Sequence, residues 1–253
     1  MRWRARQRWA EHDSYLRVVR RRRGRAVVGP DTEIVIEGFP RSANTFAVFA
    51  FQMAQPRPVP IAHHLHSPAQ VTAAARRGLP VLLLIRSPRD AVVSSVMWWP
   101  YVTPADALGA YARFYEAVRP VRDALVIGRF AEVTADLGLL TDRLNARYGT
   151  AFGRFAHTAD NVERCYRLID ERSGEPDAAA AINAYMSGLI GAAELDRLRP
   201  ASVRTTPPLG LRVARPSPER AAHRDGVVDA YLAPHLDAAR ARAERVYRDF
   251  VGD

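Results

Sequence analysis

The chain has 253 residues, enough for one domain with a full core, and its 48% hydrophobic content fits a globular protein. A single cysteine, Cys165, excludes an intrachain disulfide and a cysteine-rich metal site. The net charge of +10, from 37 basic against 27 acidic residues with arginine as the only basic type, points to anionic ligands.

Residues 1–30 read as a basic N-terminal arm, with Trp3, Trp9, Tyr15 and Leu16 set among arginines. Two readings stay open: a solvated arm, or a basic amphipathic helix in peripheral contact with an anionic membrane or a partner. No stretch approaches the roughly 20 apolar residues of a membrane span, and no signal-peptide core is seen. The expected location is therefore cytoplasmic.

Residues 31–253 form the expected domain. Ile34, Val35 and Ile36 predict a buried strand, Gly38 and Pro40 break it, and Asn44 to Gln55 predict a mainly apolar helix. Strand, compact loop and helix N-terminus in that order make an anion site, because free N–H groups and the positive dipole end face the loop. Laid on G-x-x-x-x-G-K-[ST], the stretch has the frame of a nucleotide loop with Asn44 where the lysine belongs. Arg41 supplies the missing charge beside the amides of Ser42, Ala43, Asn44, Thr45 and Phe46.

Pro56, Pro58 and Pro60 then extend the chain, and Ile61 to His66 predict a short second strand. Ser67-Pro68-Ala69-Gln70 reads as a capped helix start with a capping box. Val81 to Ile85 suits a central parallel strand, and Ser87-Pro88-Arg89-Asp90 and Thr103-Pro104-Ala105-Asp106 open two further helices. Arg86 falls at the carboxyl end of its strand, where open α/β sheets bind ligands, and Ser94 lies about two turns into the next helix. Together they make a second phosphate site. Ala124 to Phe130 predict another strand, followed by a helix to about Tyr148 that Gly149 ends. Residues 151–200 read as a helical insertion able to cap an active site, residues 200–218 as irregular, and His235 to Phe250 as an amphipathic helix. Alternating strands and helices predict an α/β fold with a central parallel sheet flanked by helices.

Pro40-Arg41-Ser42-Ala43-Asn44-Thr45-Phe46 resembles the phosphosulfate loop of the sulfotransferases that use 3'-phosphoadenosine 5'-phosphosulfate, roughly Pro-Lys/Arg-Ser-Gly-Thr-Thr-Trp. Arginine, alanine and phenylalanine are its departures. Arg86, Pro88, Arg89, Asp90 and Ser94 resemble that family's 3'-phosphate motif in register, and two motifs in the correct order are far more specific than one. The resemblance covers residues 33–148 and implies a P-loop NTPase-like three-layer fold. It implies that Arg86 and Ser94 hold the 3'-phosphate and that the 5'-phosphosulfate lies on the Arg41 loop.

For such a transfer the acceptor must lose a proton, and His63-His64-Leu65-His66 offers imidazoles between the two motifs. The resemblance maps the base best onto His66, with His64 second, and leaves a carboxylate as the alternative, since some carbohydrate and peptide sulfotransferases use one. It brings Phe130, and Phe46 in place of tryptophan, near the adenine, and makes Arg215 a candidate for the 3'-phosphate. Implied with it are 3',5'-ADP as product, no metal, a small-molecule or carbohydrate acceptor, and no nucleic acid. Trp98, Trp99 and Tyr101 suit the acceptor's side. Two competing classes remain: a P-loop kinase or NTPase, which the missing lysine disfavours, and a non-enzymatic basic module for membrane or nucleic acid.

Overall fold

The computed structural model describes residues 3–172, 176–199 and 218–252. Four short strands form one parallel sheet: β1 (Ile34–Gly38), β2 (Ile61–His63), β3 (Val81–Ile85) and β4 (Val126–Arg129), in the order β2-β1-β3-β4. The register pairs Ile36 with His63 on one side and with Leu82 on the other, and Leu84 with Gly128. Both faces of the sheet are covered, which is why β3 is a continuous apolar run and β1 is apolar from Ile34 to Ile36 rather than alternating.

Side-chain alternation divides the core into two layers. Val35, Leu83 and Ile85 pack toward α4 (Pro68–Arg76), α5 (Pro88–Trp98), α6 (Pro104–Val118) and α12 (Asp237–Val251). Ile34, Ile36, Leu82 and Leu84 pack toward α3 (Asn44–Met53), α7 (Phe130–Tyr148), α8 (Ala159–Glu171) and α9 (Pro176–Met186). The result is the expected three-layer α/β fold. A short α10 (Ala192–Leu198) and α11 (Pro218–Leu232) follow in the chain, and none of the described helices is long and apolar enough to cross a membrane.

Local chemistry sets several boundaries. The Ser87 hydroxyl accepts from Asp90 N at the start of α5, Thr103 and Asp106 form a full capping box on α6, and Gly149 ends α7 at φ 65. At α4 the expectation is half met. Ser67 occupies the N-cap and Pro68 follows, but the Ser67 hydroxyl donates to Ala10 O (2.5 Å), and Gln70 serves Val28 N (2.9 Å), Ala26 O and Glu37. Tertiary partners take both side chains, so no capping box forms.

Of residues 1–30, expected as an arm, the described part from residue 3 onward folds onto the domain. The helices α1 (Trp3–Trp9) and α2 (Asp13–Arg23), with the turn between them, bury Ala10, Tyr15 and Leu16 in the α4/α6 layer, with Trp3 and Trp9 packed beside them. Their arginines also reach the site: Arg6 Nη2 donates to Leu65 O and Arg23 Nη2 to His64 O, each at 3.2 Å.

Candidate active site

The strand order places a topological switch between β1 and β3, since the chain leaves β1 for β2 on one side and returns to β3 on the other. The Arg41 loop leaves β1 at that crevice, and Arg86 follows β3. Gly38 is required there: a Cβ would lie 2.3 Å from Leu84 O of the neighbouring strand. Arg41 (φ 69) and Ala43 (φ 65) are both left-handed, the second as the N-cap of α3. Alternation of this kind turns successive amides inward as an anion-binding concavity. Ala43 stands where a glycine would be unstrained, at a cost of about 1 kcal/mol. Asn44, in the frame of the nucleotide-loop lysine, turns its Nδ2 back to Phe39 O (3.0 Å) and so fastens the loop.

The two arginines are joined. Arg86 Nη1 donates to Arg41 O (3.1 Å), while Arg41 Nε donates to Ser94 Oγ (3.0 Å) and its guanidinium lies 4.5 Å from the Trp98 ring centroid. Arg86 itself stacks over Phe130 at 4.0 Å. All of these residues line one cavity of about 540 Å³, together with Ala43, Asn44, Thr45, Phe46, His64 and His66. Ser42 is fully buried and is not part of the lining. Phe46 is only 6% exposed and packs against Phe155, His157 and Tyr166, so it edges the cavity from within an aromatic cluster. Arg215 lies outside the described residues.

The histidine segment departs from the expected strand. Pairing stops at His63, and His64 (φ 56) and His66 (φ 50) are left-handed. The cause is Glu37, whose fully buried carboxylate accepts from Leu65 N (2.6 Å), His66 N (3.0 Å) and Gln70 Nε2 (3.0 Å). Burial pushes this carboxyl up to about 7, against the lowering effect of the Leu65, His66 and Gly38 amides.

The two candidate bases have different surroundings. His66 Nδ1 lies 2.8 Å from Gly38 O, so Nδ1 carries the proton and the basic lone pair sits on Nε2. Nε2 makes no hydrogen bond among the described residues. His64 has both nitrogens engaged, Nε2 with Thr45 Oγ1 (2.9 Å) and Nδ1 with His63 Nδ1 (2.8 Å); His63 Nε2 continues to Ser187 Oγ (3.1 Å). Burial pushes His66 down to about 4 and His63 down to about 3, and lowers His64 well below its ordinary value. All three are neutral at pH 7.

Sequence reasoning did not single out Glu37, Arg172 or Arg224. Arg172 and Ile169 come from α8 at its C-terminal end, and Arg224 reaches Asp90 at 2.8 Å. A lone carboxylate in an otherwise apolar strand, one residue before the loop glycine, is the signal that would have found Glu37. Trp98 and Trp99 line the cavity, whereas Tyr101 is 70% exposed and does not.

No protein-family model matches the chain, and no curated protein matches it. Among solved structures it is similar to the mouse sulfotransferase SULT7A1 complexed with PAP, at 11% sequence identity and a TM-score of 0.43, over 93% of this chain and 94% of that one.

Proposed function

We propose that the chain transfers the sulfuryl group of 3'-phosphoadenosine 5'-phosphosulfate to a hydroxyl or amine of a small molecule or carbohydrate. The observation that carries this reading is the junction of Arg86 with Arg41 O and of Arg41 with Ser94, which brings the two resembling stretches into one cavity beside His66. The residues fit such a donor. A left-handed loop at the N-terminus of α3 offers amides, Arg41 and Arg86 offer charge, and Phe130 offers a ring in the same lining.

When bound, the donor supplies an activated sulfur with a 5'-phosphate as leaving group. Arg41 and the amides of residues 42–46 stabilise charge on that phosphate, the preorganised electrostatic contribution that usually dominates. Arg86 receives the 3'-phosphate while bracing Arg41 through its carbonyl. Ser94, bonded to Arg41 Nε, orients that arginine as well as facing the nucleotide. His66 takes the acceptor's proton at Nε2, and Gly38 O keeps the other nitrogen protonated. His64, with no lone pair to spare, holds Thr45.

Binding of 3',5'-ADP should be independent of divalent metal. The Thr45 hydroxyl, at the position where a nucleotide loop holds Mg²⁺, is engaged with His64, and arginines supply the positive charge. Calorimetry with and without a chelator tests this, and loss of binding on chelation would contradict it. A melting temperature raised by ATP with Mg²⁺ and not by 3',5'-ADP would favour the kinase reading.

Arg86→Ala should weaken 3',5'-ADP by about 2 kcal/mol, through loss of a charge-assisted contact. Adenosine 5'-phosphosulfate, which has no 3'-phosphate, should lose less. Equal losses for the two ligands would leave Arg86 only its bracing role on Arg41 O.

A further inference from the structure

The cavity has two ends, separated by the Arg41 loop. Arg86, Ser94 and Phe130 belong to the β3–β4 side, whereas His64, His66, Ile169 and Arg172 belong to the side of β2 and α8. On that second side, α9 and the residue after it hold two groups together. Asn183 Oδ1 accepts from Arg172 Nε (3.0 Å), and Ser187, one helical turn on, meets His63 Nε2. Arg172 is thereby fixed next to the histidine segment.

Its charge is not balanced there. Among the described residues Arg172 has no carboxylate partner, its two Nη atoms make no hydrogen bond, and its one fixed contact is to a neutral amide. Burial, with Arg23 adding to it, lowers its affinity for its proton, the direction expected of a cation short of a counter-ion. Arg224, which α11 brings to the cavity, is already neutralised by Asp90. Tyr166 and Ile169 give the space before Arg172 an apolar flank.

We propose that the acceptor enters at this end and carries an anionic group, which Arg172 receives as a bidentate partner while the acceptor's nucleophile faces His66. The proposal rests on the donor reading given above and extends it to the class of acceptor. A planar guanidinium with both Nη atoms available suits a carboxylate or an ester oxyanion, and a neutral acceptor would leave it half-buried and unpaired.

The test uses the protein saturated with 3',5'-ADP and two matched pairs of probes: 4-hydroxyphenylacetate with 4-hydroxyphenylacetamide, and glucuronate with glucuronamide. In at least one pair the acid should bind about 10-fold or more tightly than its amide, the effect of one charge-assisted contact. Arg172→Gln should erase that preference and Arg172→Lys should keep part of it. Both variants should hold 3',5'-ADP within about twofold of wild type, which also verifies that they fold. Equal affinity of acid and amide in both pairs, binding of no probe, or an acid preference that survives Arg172→Gln overturns the proposal. Failure of wild type to bind 3',5'-ADP is seen in the first titration; it strikes the donor reading itself and takes this proposal with it.

Discussion

Replacing His66 by asparagine should lower turnover by roughly 10²- to 10⁴-fold while binding of 3',5'-ADP persists. Asparagine is the informative substitution because residue 66 is left-handed at φ 50, a conformation that asparagine adopts at less cost than alanine. An asparagine amide still donates a proton to Gly38 O but has no ring nitrogen to accept one. A residue that only positioned the segment would instead show its loss as a lower melting temperature or weaker nucleotide binding. His64→Asn is the control, since His64 already uses both ring nitrogens and should cost much less in turnover. Near-normal turnover in His66→Asn would end the histidine-base mechanism.

The pH profile adds a second check. In the free protein His66 is pushed down to about 4, chiefly by burial, with Arg6, Arg23 and Arg41 adding to the effect. The profile of kcat/KM for the donor, which reports the free enzyme, should therefore rise with its midpoint near 4 rather than at the ordinary histidine value. With an anionic donor in place the arginines are partly neutralised. The profile of kcat/KM for the acceptor at saturating donor should then have its midpoint at higher pH.

The parts of this site legible in the sequence are those made by near neighbours. A strand, Gly38, a compact loop and the start of α3 lie within a dozen residues, and the Ser-Pro and Thr-Pro helix starts carry their own chemistry. That Arg86 faces the ligand site followed from the rule for open sheets, because it stands at the carboxyl end of β3, whereas its bond to Arg41 O is seen only in the structure. What stayed hidden depends on partners far along the chain. Glu37 reads as one polar residue in an apolar strand until Leu65 N, 28 positions on, and Gln70, 33 positions on, are seen to converge on it. The same convergence explains why the expected strand stops at His63. The backbone amides of 65 and 66 turn toward a carboxylate, not toward a sheet neighbour, and the histidines leave the alternation that a strand would impose. The N-terminal arginines misled for a related reason. A run of like charge is usually solvated, but here two of its members are spent on the carbonyls of Leu65 and His64.

Glu37→Ala should lower folding stability at pH 7 by about 3–5 kcal/mol, because it leaves Leu65 N, His66 N and the Gln70 amide buried without their acceptor. The carboxylate is 0% exposed, so water does not replace it without opening the core. Glu37→Gln separates this packing role from the charge. The folded carboxyl is raised from 4.5 to about 7 by burial. Between those values the unfolded chain has given up its proton and the folded chain keeps it. The contribution of this group is thus fully present below pH 4.5 and is lost as pH rises through about 7. The buried histidines act in the opposite sense, since their lowered values make stability rise with pH over the acid range. They are common to both proteins and cancel to first order in the difference. The stability of Glu37→Gln relative to wild type, from denaturant unfolding across pH 4 to 8, should accordingly increase by about 3 kcal/mol on going from pH 4.5 to 7. A difference that stays flat across that range would mean that the carboxylate is ionised throughout, held by the amides of Leu65 and His66 strongly enough to overcome its burial.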